Sequence, residues 1–319
     1  VRPGTLFLGA NLDFSGEPRL QDLMDRGRIG AVRVVRKRGH EIGIIGAITP
    51  ALEFISSPRN VIVNEVVSAV QAEIDLLGSR GVHKIIFISH MQDIHEDILV
   101  AEKLSGVDVM IAGGSDELLA NPGDLLVPGD TFVFGPYPMM ATGADGAMIP
   151  VVTTAGDYKY VGRLVVGFDR QGNVVEVDEA RSGPMRVAGG DNPDAVEPDP
   201  VLQSQVVEPV AEFLAGLATD VVGISEVALD GRGSEVRTIE TNEGNLIADS
   251  LLTTATAKAD EFSMPAPDVA LQNGGGIRNN DLRGPGEISK LDTFEMVPFA
   301  NFVSIVPGIP RDQFKEIME

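Results

Sequence analysis

Residues 84–89, Lys-Ile-Ile-Phe-Ile-Ser, form an apolar run; residues 93–104 carry helical periodicity, and after Ser105-Gly106 a second apolar run covers residues 107–112. Two buried strands joined through one helix form a right-handed crossover, so this segment predicts a βαβ unit with parallel strands. This constrains the fold more than any other feature of the chain. A parallel sheet must be covered by helices, and the loops after its strands lie where ligands bind in such folds.

The flanking sequence continues the α/β pattern. Residues 5–10, 31–35 and 42–47 read as strands bounded by Gly, Pro, Asp or Asn. Residues 63–77 read as a helix, with Val66, Val67, Val70, Ile74 and Leu77 at helical spacing and Gly78 just past its end. Residues 160–169 and 174–177 predict a hairpin turned by Arg170-Gln171-Gly172-Asn173. Gly189-Gly190-Asp191-Asn192-Pro193 through Glu197-Pro198-Asp199-Pro200 suits neither helix nor strand. It is read as a linker over 191–200, between a first domain at 1–190 and a second at 201–319.

The second segment predicts a helix over 201–217 with a kink or break at Pro209, then a strand over 221–229. Thr241 or Asn242 caps a further helix through Leu246, Ile247, Leu251 and Leu252, and a strand over 268–271 leads into a glycine loop.

Composition excludes several function classes. Hydrophobic residues at 43% and charged residues at 23% describe a soluble globular chain, and 319 residues suffice for two domains. A net charge of -22 repels a phosphodiester backbone, so nucleic acid is not the expected partner. The densest basic stretch, Arg33, Arg36, Lys37, Arg38 and His40, surrounds Gly39 as an exposed hairpin end. With no cysteine there is no disulfide, thiolate metal site or cysteine nucleophile. No apolar run reaches the ~18 residues of a membrane span. Val1-Arg2-Pro3-Gly4 lacks the apolar centre of a signal peptide and reads as a cut or processed start.

Four motifs carry the candidate chemistry. His90 ends a strand that can hold an imidazole rigidly, although a histidine there also serves as a hydrogen-bonded structural residue. The next strand ends in Gly113-Gly114-Ser115-Asp116-Glu117. Arg237-Thr238-Ile239-Glu240-Thr241-Asn242-Glu243-Gly244-Asn245-Leu246-Ile247-Ala248-Asp249 follows, and then Asn273-Gly274-Gly275-Gly276-Ile277-Arg278 with Val297-Pro298-Phe299. Glycines after a strand permit close backbone approach, and an adjacent arginine can grip an oxyanion with a forked pair of hydrogen bonds. Taken singly, the glycine triplet reads as a plain turn, Phe299 as a core aromatic and Arg237 as a solvated strand charge.

In order and spacing these motifs resemble the 5′-nucleotidase and UDP-sugar hydrolase family of two-domain metallophosphoesterases. The resemblance implies a layered α/β metallophosphoesterase domain followed by an α/β nucleotide-binding domain, with chemistry between them. It implies metal-dependent hydrolysis of nucleotide phosphate esters by a pair of divalent metal ions, which activate water and stabilise the attacking and leaving oxygens. His90 matches a ligating histidine of the family. Asp116 and Glu117 fall in its second motif, Gly-Gly-His-Ser-His or Gly-Gly-His-Ser-Gln, where Ser115 and Glu117 replace the two coordinating side chains. By the same carry-over Arg237 and Arg278 contact phosphate or carboxylate-like oxygens, Asn273, Gly275 and Gly276 line the nucleotide, and Phe299 stacks on the base. The expected partner is a nucleotide or nucleotide-sugar, and the expected location is the periplasm or cell exterior.

The resemblance begins at Gly9-Ala10-Asn11-Leu12, after the family's Asp-x-His and Asn-His-Glu elements, and ends in the helix closing at Glu319, before its second stacking aromatic. No catalytic residue is therefore assigned. The chain is expected to be a fragment of a longer enzyme or a reduced member with part of the catalytic site missing. The alternative is a nonhydrolytic nucleotide-binding pseudoenzyme or scaffold.

Overall fold

The computed structural model of the protein describes residues 5–300 and 302–318. Val1 to Gly4, read above as a processed start, and Glu319 lie outside the described residues. The chain forms two compact units, the first ending at Glu197 and the second beginning at Pro198.

A six-stranded sheet organises the first unit. Its order is Val32–Lys37, His40–Ile48, Ile85–His90, Val109–Ile111, Met148–Val152, Met139–Thr142. The four inner strands run parallel and the two edge pairings are antiparallel. The expected βαβ unit is present: Ile85–His90 and Val109–Ile111 pair in parallel around the helix Ile94–Ala101. Ile45, Phe87, Met110 and Val151 are fully buried along the inner strands. Burying such side chains contributes roughly 1.5–3 kcal/mol each.

The helix predicted over 63–77 spans Val66–Ser79, and the side chain of Glu65 caps it by accepting from Val67 N and Ser68 N. Val66, Val70, Ile74 and Leu77 face the core. Gly78 lies inside the helix rather than beyond it; the left-handed residue that ends the turn is Gly81, at φ +81°. Gly43 has a packing reason, because a Cβ there would lie 2.6 Å from Leu77 Cδ1.

The hairpin strand predicted over 160–169 divides into Tyr160–Arg163, paired with Gly183–Arg186, and Val166–Phe168, paired with Val174–Val177. One continuous apolar run thus serves two different partners. Asp169 stabilises the turn by accepting from the backbone N–H groups of Gln171, Gly172 and Asn173.

Asp108, buried at the start of a core strand, accepts from Ile85 N at 2.7 Å. Burial pushes its carboxyl up to about 6, against that hydrogen bond. An acid raised in the folded state holds its proton there while the unfolded chain has lost it. Stability therefore falls as pH rises between the unfolded value of ~3.9 and about 6, then levels off. Asp108→Asn keeps the acceptor and removes the charge, so its unfolding midpoint should lack this part of the pH dependence. An identical pH profile in the variant, followed by thermal unfolding, would contradict the assignment.

In the second unit Val221–Ser225 pairs antiparallel with Gly286–Ser289. The helical run predicted over 201–217 is interrupted by a π turn, Gln203–Val207, before Glu208–Thr219. Pro209 sits at the start of the resumed helix, because its ring cannot lie under an ordinary i−4 carbonyl. Thr241 caps the helix Asn242–Lys258 through Gly244 N. The strand expected over 268–271 does not form: these residues join no ladder among the described residues, and Val269 and Leu271 are half exposed. Leu229, Ile247, Ile277 and Met296 make a small core.

Candidate functional site

Each unit brings together some of the sequence-predicted residues. In the first, His90 ends its strand at the carboxyl edge of the sheet, and the chain after the neighbouring strand passes directly over it. A Cβ on Gly114 would lie 2.7 Å from His90 Cδ2 and 2.8 Å from Nε2, and Gly114 has φ +89°. A Cβ on Gly113 would lie 2.7 Å from Ser89 O. The Gly113-Gly114 pair is therefore what lets this loop cross an exposed imidazole.

Beneath it, Ser89 Oγ donates a short hydrogen bond to the fully buried Asp97. Asp97 Oδ2, Ser115 Oγ and Glu117 Oε2 are buried without hydrogen-bond partners. Burial pushes the Asp97 carboxyl up to about 7, and the charge of Glu117 adds to that rise. Asp116 points elsewhere: it is exposed, and its Oδ1 occupies the space above Gly156.

Of the three predicted metal donors, His90 and Glu117 thus lie on the same edge of the sheet. Among the described residues no three His, Asp or Glu side chains gather to hold a metal ion. A pair of divalent cations, each needing several protein donors, does not fit this donor set. Ser115 offers only a neutral hydroxyl, and no reaction step through a metal is derived for this chain. Asp97 was not singled out from sequence. Its only signal was an acidic residue on an otherwise apolar-facing position of the helix after His90.

In the second unit the glycine loop forms a 3-10 turn, Gly274–Gly276, closed by Gly276 N donating to Asn273 O at 2.9 Å. Gly276 is buried beside the Gln272 side chain, and Gly275 lies next to Asn273 Nδ2. Gly274 packs on the backbone of Val236 and Arg237, so the turn abuts the other arginine-bearing segment. Arg278 is anchored through its backbone N–H to Met296 O at 2.9 Å, and its guanidinium lies 5.2 Å from the centre of the Phe299 ring. Phe299 is 49% exposed, so it is not the core aromatic allowed by one reading of the sequence. Neither Arg237 nor Arg278 makes an ion pair with another described residue.

Asn273 and Phe299 line a cleft of about 1830 Å³, along with Asn245, Asp249, Phe302 and Phe314. Phe302 and Phe314 had not been singled out, although aromatics following the Pro298-Phe299 step were a visible signal. Arg237, Gly275, Gly276 and Arg278 stand outside that lining. Asn242, expected to be structural, donates to Ala228 O and accepts from Asp230 N.

The closeness of Gly274 to backbone makes a prediction. A methyl at this position would collide with Val236 O and come within 3.0 Å of Arg237 Cα, neither of which is a flexible side-chain end. Gly274→Ala is expected to destabilise the protein by about 1–3 kcal/mol through overpacking and to weaken ligand binding at the turn. Denaturant unfolding with a binding titration checks both, and wild-type values for both would show that the turn is looser than described.

Residues 221–307 match the family described as 5′-nucleotidase, C-terminal domain. The 5′-nucleotidase of Bos taurus is 32% identical over 269 residues, covering 83% of this chain and 44% of the relative. The 5′-nucleotidase of Diplobatis ommata is 31% identical over 303 residues, covering 94% and 49%. Among solved structures, the 5′-nucleotidase precursor from Thermus thermophilus superposes with a TM-score of 0.72 at 30% identity over 93% of this chain and 53% of that one. The Haemophilus influenzae NAD nucleotidase shares the fold, with a TM-score of 0.56 at 20% identity over 92% of this chain and 55% of that one. The chain spans about half the length of the relatives it matches.

Proposed function

We propose, for a chain that belongs to the 5′-nucleotidase family, that its second unit is a nucleotide-binding domain and that its first unit is a metallophosphoesterase-type scaffold. The activity proposed for the parent protein is metal-dependent hydrolysis of nucleotide phosphate esters, outside the cell or in the periplasm. Among the described residues no helix is long and apolar enough to cross a membrane.

The single observation that carries the reading is the Arg278 guanidinium standing 5.2 Å over Phe299, at the end of a glycine turn. One group is a forked donor suited to a phosphate and the other a flat apolar face suited to a base. Arg237 supplies a second cation beside the turn, while Asn273, Gly275 and Gly276 present polar side-chain and backbone groups. Of the family-matched donors, His90 and Glu117 lie on one edge of the sheet while Asp116 turns away over Gly156, and they do not complete a two-metal site. Replacement of two ligating side chains by Ser115 and Glu117 favours a second reading, a binding protein without turnover.

The test measures phosphate release from AMP and UDP-glucose with and without manganese, cobalt or zinc, alongside AMP binding by calorimetry. Saturable binding without turnover is the expected result. Metal-dependent turnover by this chain would overturn the incomplete-site part of the proposal, and absence of any binding would overturn the whole.

A further inference from the structure

Glu243 lies in the first turn of the helix Asn242–Lys258, where a carboxylate ordinarily faces water and favours the positive helix end. Here the side chain is 0% exposed and reaches instead under the segment that follows the glycine turn. Its Oε2 accepts a hydrogen bond from Asn279 Nδ2 at 3.2 Å. Its other oxygen, Oε1, and the carboxamide oxygen of Asn279 are both buried, and neither has a donor. The two face the same place, for a Cβ on Gly231 would meet Asn279 Oδ1 and lie 2.5 Å from Glu243 Oε1.

Two acceptors buried side by side against Gly231, away from water, repel, and each costs about 1–3 kcal/mol if left without a partner. A single hydrogen on Oε1 satisfies both. The acid O–H then donates to Asn279 Oδ1 while Asn279 Nδ2 donates to Oε2, closing a ring of two hydrogen bonds between a carboxylic acid and a carboxamide. We infer that Glu243 is a neutral acid in the folded protein, clasped to Asn279, and that it acts as a positioning residue for the adjacent Arg278.

The surroundings agree. Burial drives the Glu243 carboxyl above its ordinary range; Asp230 and Asp281 push the same way, while the Asn279 hydrogen bond and Arg283 oppose them. Asp230 is itself held by a forked pair of bonds from Arg232, and Arg283 by Asp292, so both stay charged around a neutral centre. The clasp ties the helix start to the loop carrying Arg278, and Asn280 Oδ1 completes the tie by accepting from Gly233 N at 2.8 Å. Loss of the proton would leave a buried anion facing a carbonyl oxygen and free Asn279 to turn away.

The positioning role rests on the nucleotide-binding reading, whereas the proton does not. Glu243→Gln is an isostere of the protonated acid, since its Nε2 donates to Asn279 Oδ1 and its oxygen accepts from Nδ2. Carbon-13 NMR of the side-chain carboxyl of wild-type protein is expected to show Glu243 unionised at neutral pH. As pH rises above the unfolded value of ~4.3, wild-type stability should fall relative to E243Q until Glu243 has ionised in the fold, because an acid raised above its unfolded value loses that stabilisation as it gives up its proton. The ratio of wild-type to E243Q affinity for AMP should fall over the same range, with the two equal at the acid end.

An ionised Glu243 at neutral pH, or parallel stability profiles, overturns the inference. So does stabilisation by calcium present in wild type and lost in E243Q, which would place a cation between the two oxygens. If neither protein binds AMP but the NMR and stability results hold, the nucleotide reading fails and the proton assignment stands.

Discussion

Arg278→Ala is expected to lower AMP affinity by about 10- to 100-fold while leaving the unfolding midpoint within experimental error of wild type. A hydrogen bond from a charged donor to a phosphate contributes about 1.5–3 kcal/mol, which is the origin of that range. Stability should be spared because the residue's structural bond is made by its backbone, Arg278 N to Met296 O, and its exposed side chain stands over the half-exposed Phe299 ring with no ion pair among the described residues. Arg278→Lys should fall between the two, since an ammonium keeps the charge but loses the planar fork and its stacking on the ring. Calorimetric titration of all three proteins decides the matter. An alanine variant that binds AMP like wild type would remove Arg278 from the site.

Phe87→Ala should be the most damaging single change in the first unit, at about 3–5 kcal/mol. Phe87 is fully buried in the strand Ile85–His90, opposite Ile45 on one neighbour and Met110 on the other. Its ring is surrounded by side chains from both adjacent parallel strands and the covering helices, which cannot close a cavity of that size without moving the sheet. Denaturant unfolding should show a lower midpoint and an unchanged slope if the native state stays compact. A cost under about 1 kcal/mol, the effect of an ordinary surface change, would mean that Phe87 is not central to the core.

Much of the first unit was legible because its signals are local. Strand and helix periodicities around Ile85 and Val66 need no knowledge of distant residues, and the crossover rule converts their order into parallel pairing. The Thr241 cap was legible for the same reason, since its side chain accepts from Gly244 N three residues on. Failures occurred where the outcome depended on a distant partner. Residues 268–271 have strand composition but found no neighbouring strand, and the run from Tyr160 to Phe168 was divided between two. Gly78 and Gly81 both suit a helix end; Gly81 takes the left-handed conformation, where its N–H returns to Gly78 O and the buried Val82 donates to Leu77 O.

By itself the sequence determined the α/β class, the placement of His90 and of Gly113-Gly114 after parallel strands, and the resemblance to the 5′-nucleotidase family, because these follow from residue order and short-range spacing. Only the tertiary structure decided that Arg278 stands over Phe299, that Gly274 rests on Val236, and that Asp97 and Glu243 turn inward. The physical reason is that a polar side chain's environment is fixed by what folds over it. Helical spacing gives the direction of Glu243, but the oxygen of Asn279 opposite it is brought there by a loop some distance along the chain.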